Sequence, residues 1–284
     1  MTITDVIGAY VTNGTRKQSP RALADCKRLW ALFSAQHGGR LVTECRPADL
    51  LLWVNQHQGR WRSDWTLMRV AATIKRPFSW ALKLGLVDRN PFSGVTFPPG
   101  ERGRSITDEE FRGLLRAASA PFRRVLIFQL ATGARPCEMS AVEWQFIDLD
   151  AGAIVLHVHK SMRSRKDRAP RVIALTPTVV KLLLWLKRHQ PASQFVFLNS
   201  RGRPWTRSAL GQRIRRLRQT VGLPEAKLYG CRHRFASDLA EGGCELKALA
   251  ELLGHTTTRM AEHYVHVTGK LSYLHRALEK RKRD

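Results

Sequence analysis

A run of turn-forming residues a third of the way along the chain does most to limit its fold. PFSGVTFPPGERGR (91–104) is rich in proline, glycine and charge. Proline removes a backbone donor and fixes φ, and glycine contributes no side-chain packing, so neither a helix nor a strand continues through such a segment. Asn90-Pro91 at its start is itself a turn signal. The chain is therefore expected to fold as two domains, residues 1–98 and 105–284, with 99–104 as the linker. Its 284 residues suffice for two cores, since a domain commonly takes about 100–200 residues.

The first domain reads as helical. Ser19-Pro20 opens a segment in which Leu23, Cys26, Leu29, Trp30 and Phe33 recur at helical spacing. PADLLLWVNQH (47–57) starts with proline and an acid, which suits the positive end of a short helix. Leu67, Val70, Ala71, Ile74, Phe78 and Ala81 form one stripe over 66–84, and Gly85 marks its end. The second domain opens on a capping box, Thr107 with Glu110, followed by helices expected from Pro121 to Ala131 and from Pro136 to Trp144. The texture then changes. AIVLHVH (153–159) and RVIAL (171–175) are β-type runs that predict a hairpin with a long basic tip, and FVFL (195–198) predicts a third strand. Helices are expected again at Thr176-Pro177, from Ser208 to Val221, and from Arg232 to Glu241, where Gly242-Gly243 stops the element. Two short helices and an amphipathic one carrying Leu271, Leu274 and Leu278 follow. The expected fold class is mainly α with a small antiparallel β-sheet.

Charge narrows the partner. Lys and Arg number 48 against 23 Asp and Glu, a formal net charge of +25 spread over the whole chain. Self-repulsion on that scale opposes compaction, and a polyanion relieves it, so nucleic acid is the favoured partner. No run approaches the ~18 apolar residues of a membrane span. Residues 1–20 lack a charged start followed by a long apolar stretch. A cytoplasmic protein, nucleoid-associated when bound to DNA and without a membrane partner, is expected. Cys26, Cys45, Cys137, Cys231 and Cys244 show neither disulfide nor zinc spacing, and there is no Gly-rich phosphate loop. Neither metal nor cofactor is expected.

Groups suited to phosphate chemistry stand at the ends of the predicted elements. Arg135 follows Thr-Gly-Ala at a helix start, with Glu138 three residues on. Lys160 sits where a strand enters the basic hairpin, and Arg232 and His233 begin a helix. His255 lies in Leu-Leu-Gly-His, and Tyr264 comes nine residues later. Singly, each has an ordinary explanation: an arginine at a helix start commonly makes a surface ion pair worth ~0–1 kcal/mol, and Tyr264 reads equally as a half-buried core aromatic. Together, TGARPCEM (132–139), YGCRHRFAS (229–237) and LLGHTTTRMAEHY (252–264) closely resemble the boxes of the tyrosine recombinase (phage integrase, Xer-like) family. The intervals of 97, 23 and 9 residues separating Arg135, Arg232, His255 and Tyr264 agree with it. WALKLGLVDRNPFSGV (80–95) likewise resembles the last helix and exit loop of that family's core-binding domain.

The resemblance implies an N-terminal helical core-binding (SAM-like) domain and a C-terminal tyrosine-recombinase catalytic domain. It implies attack by Tyr264 on a DNA phosphodiester, a 3′-phosphotyrosyl intermediate with a free 5′-hydroxyl, and religation without ATP or metal. Arg135 and Arg232 would hold the non-bridging oxygens, His255 would donate to the phosphate, and Lys160 would protonate the leaving 5′-oxygen, with Lys166 as the alternative. Glu138 would orient Arg135 or cap locally, and His233 would support the site. One position departs from the pattern: Tyr229 stands where the family usually has a histidine, so the phosphate contact carries over and the acid–base role does not. Tyr229 is also a rival nucleophile by residue type. Away from the catalytic boxes, Arg60, Arg62 and Arg69 with Trp61 and Trp65, the hairpin residues Arg163 and Arg165, and Arg213 and Arg216 in the basic helix 208–221 are the expected DNA contacts. By resemblance the protein would assemble as a homotetramer on two DNA sites. Two alternatives stay open: a type IB topoisomerase-like enzyme with the same chemistry, and an inactive sequence-specific DNA-binding protein on the same fold.

Overall fold

In a computed structural model, which describes residues 1–284 except 16, 17, 58, 62, 99, 101, 102, 141, 158–169, 191 and 268–284, the chain separates into two units, Met1–Arg102 and Gly103–Asp284. The first unit is built from α1 (Ile3–Asn13), α2 (Pro20–His37), α3 (Pro47–Gln56) and α4 (Asp64–Lys83). Thr2, Ser19 and Ser63 cap α1, α2 and α4 by accepting a backbone N–H of the first turn. The core is aromatic: Trp30, Phe33, Trp53, Phe78 and Phe92 interlock with Ile3, Leu50 and Ile74. Pro77 falls inside α4 and cannot donate to the Thr73 carbonyl one turn back. The Trp30 indole N–H fills that vacancy at 2.9 Å, which ties α2 to α4 at the point where the helix would otherwise break. Asn90 donates to the Lys75 carbonyl and to Ser79 Oγ, and accepts from Phe92 N–H. That anchor packs Phe92 and Val95 into the core, so the proline-rich run begins as part of this unit.

The second unit runs α5 (Asp108–Ala117), α6 (Ala120–Thr132), α7 (Pro136–Met139), β1 (Ile147–Asp148), β2 (Ala153–Leu156), β3 (Arg171–Ala174), α8 (Pro177–His189), α9 (Arg207–Thr220), α10 (Leu228–Glu241), α11 (Leu246–Leu253) and α12 (Arg259–Val267). The Thr107–Glu110 capping box forms as expected. The sheet is antiparallel in the order β1-β2-β3, with Val155 opposite Val172 and Leu156 opposite Arg171. Ile154, Leu156 and Ile173 turn inward to a core shared with Phe122, Leu126, Phe128, Leu183 and Leu210. A smaller cluster of Ala236, Ala240, Leu249, Leu253, Ala261 and Tyr264 joins α10, α11 and α12.

Three expectations are corrected. Residues 195–198 form only isolated bridges, Glu143 with Phe195 and Leu198 with Pro204. The third strand is Ile147–Asp148 instead. The helix expected over 136–144 stops at Met139, because backbone at 142–144 pairs with 194–196: Val196 N–H donates to the Val142 carbonyl and Trp144 N–H to the Gln194 carbonyl. Helix α10 starts at Leu228, so Arg232 and His233 lie one turn inside it and not at its start. The hairpin tip, with Lys160, Arg163, Arg165 and Lys166, and the segment carrying Leu271, Leu274 and Leu278 lie outside the described residues, as does Arg62. No helix among the described residues is long and apolar enough to cross a membrane.

Candidate active site

Two left-handed glycines at helix ends set up the site. Gly133 ends α6 at φ +62°. A Cβ there would fall 2.3 Å from the Phe235 ring, so both the backbone and the space demand glycine. Gly254 ends α11, also at φ +62°, and His255 N–H returns to the Ala250 carbonyl in a Schellman-type turn. A Cβ at Gly254 would come within 2.7 Å of the Arg171 side chain.

The two corners present carbonyls to the arginines. Arg135 is the N-cap of α7, and Glu138 accepts both its backbone N–H at 2.8 Å and its guanidinium at 2.7 Å. The same guanidinium donates to the Gly254 carbonyl at 2.8 Å. Arg232 donates to the Gly133 carbonyl and to the Leu253 carbonyl, each at 2.6 Å. All three sequence boxes are thus locked together by two buried cations set at the negative C-terminal ends of α6 and α11. Arg135, Arg171 and Arg232 share this interior with a single buried carboxylate, Glu138, so among the described residues the positive charge is in excess. Burial, followed by repulsion from Arg135, lowers the Arg232 pKa to about 10. The arginine remains charged at neutral pH, and an anion between the guanidiniums would relieve the repulsion. A guanidinium has five N–H donors, and the contacts that hold Arg135 and Arg232 in place leave them able to donate to that anion.

His255 stands next to Arg232, with Nε2 3.2 Å from a guanidinium nitrogen. Since guanidinium only donates, Nε2 accepts and the ring hydrogen sits on Nδ1. Nδ1 is buried and has no hydrogen-bond partner among the described residues. Burial first, and then Arg232, Arg135 and Arg171, lower the His255 pKa to about 4. The ring is therefore neutral at pH 7 and holds an unused donor. Tyr264 is buried at 7% exposure, and its hydroxyl lies 2.9 Å from His233 Nδ1. Burial pushes the phenol pKa up, and the Arg232 charge opposes that shift. Tyr229, in the first turn of α10, is 39% exposed, with its ring 6.4 Å from that of His233.

Residues 229–264 and 132–139 thus converge, as their resemblance implies they should. Arg171 was not among the expected site residues. It is 2% exposed on β3 and donates to the carbonyls of Val172, Glu251 and Leu252, with Nε 3.7 Å from Glu138. It links the hairpin to the His255 corner and to the carboxylate that holds Arg135. The available signal was the two-residue alternation that puts Arg171 on the same inward face as Ile173.

Among the expected DNA contacts, Arg60 precedes α4 and Arg69 lies on it, both exposed. Trp65 is also exposed, whereas Trp61 is a core residue stacked on His57, because the turn between α3 and α4 folds its ring against Trp53. On α9, Leu210, Ile214 and Leu217 face the core, which leaves Arg216 exposed and Arg213 partly buried at the edge. No group of three or more His, Cys, Asp or Glu among the described residues is placed to hold a metal.

A family model described as the phage integrase family matches residues 104–270. The tyrosine recombinase XerC of Lactobacillus delbrueckii subsp. bulgaricus is 24% identical over 292 residues, covering 94% of this chain and 95% of its own. Among solved structures, the Tn1549 transposon integrase in complex with transposon right end DNA superposes with a TM-score of 0.79 at 16% identity, covering 99% of both chains. The lambda integrase tetramer bound to a Holliday junction gives a TM-score of 0.74 at 16% identity, over 93% of this chain and 77% of that one.

Proposed function

The chain belongs to the phage integrase family and is a site-specific tyrosine recombinase, and we propose that it cleaves and rejoins duplex DNA through a 3′-phosphotyrosyl bond to Tyr264. The observation that carries this reading is the buried Arg135–Arg232 pair with one carboxylate between three guanidiniums, beside a buried tyrosine. Among the described residues such a site carries an excess of positive charge. A scissile phosphate supplies an anion, and its transition state, with more charge on the non-bridging oxygens, suits the site better still.

The geometry supports roles for Arg135, Arg232 and His255, and the family resemblance supplies the rest. Arg135 and Arg232 are held by carbonyls and Glu138, so their remaining donors need no reorganisation when charge develops. His255 offers Nδ1–H to a phosphate oxygen as a neutral donor. Lys160 is assigned the leaving-group proton on the family resemblance, with Lys166 as the alternative. Tyr229 has only a hydroxyl to offer and acts as a hydrogen-bond donor. The bond energy of the phosphodiester is kept in the phosphotyrosine, so no nucleotide cofactor enters. The partner is double-stranded DNA, bound by exposed arginines such as Arg60, Arg69 and Arg216. A homotetramer on two DNA sites is the working assembly, and domains 1–98 and 105–284 are the expected binding and catalytic parts.

Covalent trapping tests this. The full chain is mixed with a library of nicked duplexes, denatured in detergent and scored for protein-linked DNA, with Tyr264→Phe in parallel. An adduct lost in the variant supports the reading. One that survives points to Tyr229 or Tyr273. Salt-sensitive binding without any adduct would favour the inactive DNA-binding alternative, and relaxation of plasmids lacking a defined site would favour the topoisomerase-like one.

A further inference from the structure

We propose that His233 is the group that removes the proton from Tyr264, an inference that rests on the recombinase reading above. Its hydroxyl–nitrogen distance of 2.9 Å is the direct evidence. In the role proposed, the phenol donates to Nδ1 and the ring hydrogen is on Nε2. Nε2 lies close against Gly103, where an added Cβ would come within 3.3 Å of it.

The other candidates are excluded by chemistry. His255 has Nε2 engaged as an acceptor from Arg232, and a second cation formed there would face Arg232, Arg135 and Arg171. Tyr229 carries another phenol and has no proton-accepting nitrogen. Arg135 and Arg232 are cations already and accept nothing. A base is required because the buried Tyr264 phenol resists ionisation at neutral pH. His233 thus takes the acid–base work that Tyr229 cannot perform.

The step balances. The Tyr264 oxygen bonds to the scissile phosphorus as its proton passes to His233 Nδ1. The bond from phosphorus to the 5′-oxygen breaks, and that oxygen leaves with a proton from the acid assigned above to Lys160. On religation the incoming 5′-hydroxyl attacks phosphorus and returns its proton to that amine. The phosphotyrosine bond breaks, and the His233 imidazolium reprotonates the phenol oxygen.

The test uses the full chain on a nicked duplex carrying its site, under single-turnover conditions. His233→Gln keeps a polar side chain of similar reach without basicity. It should slow adduct formation by about 10²–10⁴-fold, the usual contribution of a general base, with DNA affinity unchanged within threefold. Replacing Tyr264 with 3,5-difluorotyrosine, whose phenol ionises more readily, should then recover most of the loss in the His233→Gln background. A structural role would not respond to nucleophile acidity. Cleavage by His233→Gln within threefold of the unmodified chain overturns the proposal, as does a loss that fluorination leaves unchanged. An unmodified chain that forms no adduct would sink the recombinase reading and this proposal with it, and the parallel arms separate the two failures.

Discussion

Replacing Gly133 with alanine should damage both the fold and the site, and the structure gives the size of the effect. The residue adopts φ +62°, and an alanine in that region is strained by about 1–2 kcal/mol. The new Cβ would also sit 2.3, 2.8 and 3.1 Å from three carbons of the Phe235 ring. The ring would have to withdraw by roughly an ångström, and overpacking of that kind costs about 1–3 kcal/mol. The sum is about 2–5 kcal/mol, or a drop of ~4–20 °C in Tm at the usual ~2–4 °C per kcal/mol for a unit of this size. Activity should fall as well. The Gly133 carbonyl anchors Arg232, and Arg135 is two residues further on, so a moved corner misplaces both cations. Displacements near 1 Å in such a site cost on the order of 10²-fold in rate. The assay is a double-mutant cycle, with thermal unfolding and single-turnover cleavage measured for Gly133→Ala, Phe235→Ala and the pair. In the Phe235→Ala background the overlap is gone, and Gly133→Ala should cost only the backbone share, ~1–2 kcal/mol. A cost that is the same in both backgrounds, or below 1 kcal/mol in the native one, would refute the reasoning.

Arg232→Lys keeps the charge but cannot reach the Gly133 and Leu253 carbonyls and a phosphate together, so cleavage should fall by about 10²–10³-fold with little change in DNA affinity; a binding assay beside the trapping assay separates the two effects. Stability should decline as pH falls from about 6.5 to about 4. His255 is harder to protonate when folded, so the unfolded chain binds more protons in that window. His255→Asn should flatten that part of a denaturation-midpoint-versus-pH curve, and an unchanged slope would count against the assigned environment. Tyr229→Phe removes a hydroxyl expected on the phosphate and should slow cleavage with folding intact. A variant as fast as the original chain would show that the exposed phenol takes no part.

The three sequence boxes were readable because each carries a local backbone requirement beside its chemical group. Thr132-Gly133 and Leu253-Gly254 announce helix ends, and Arg135 and His255 follow within two residues. The hydrophobic stripes of α2 and α4 and the basic hairpin flanks were legible for the same reason, since each reports a periodicity within one element. The misses involve pairings between segments distant in sequence. The helix expected after Pro136 gave way to backbone bonds with 194–196, and FVFL lost its strand to that arrangement. Trp61 looked like half of a basic–aromatic surface until its ring turned inward onto His57 and Trp53.

Amino-acid order alone therefore carried the two-unit organisation, the mainly helical class with its small sheet, the excess positive charge and the groups that the family resemblance singles out. All of these depend on neighbours within a turn or two, or on composition. Tertiary structure decided what those groups can do. It set Arg135 and Arg232 against carbonyls about 100 residues away, buried Arg171 behind Glu138, kept His255 neutral, and brought His233 to the Tyr264 hydroxyl across 31 residues. Proton affinity and donor direction depend on burial and on charges a few ångströms away, and those distances exist only after the chain has folded.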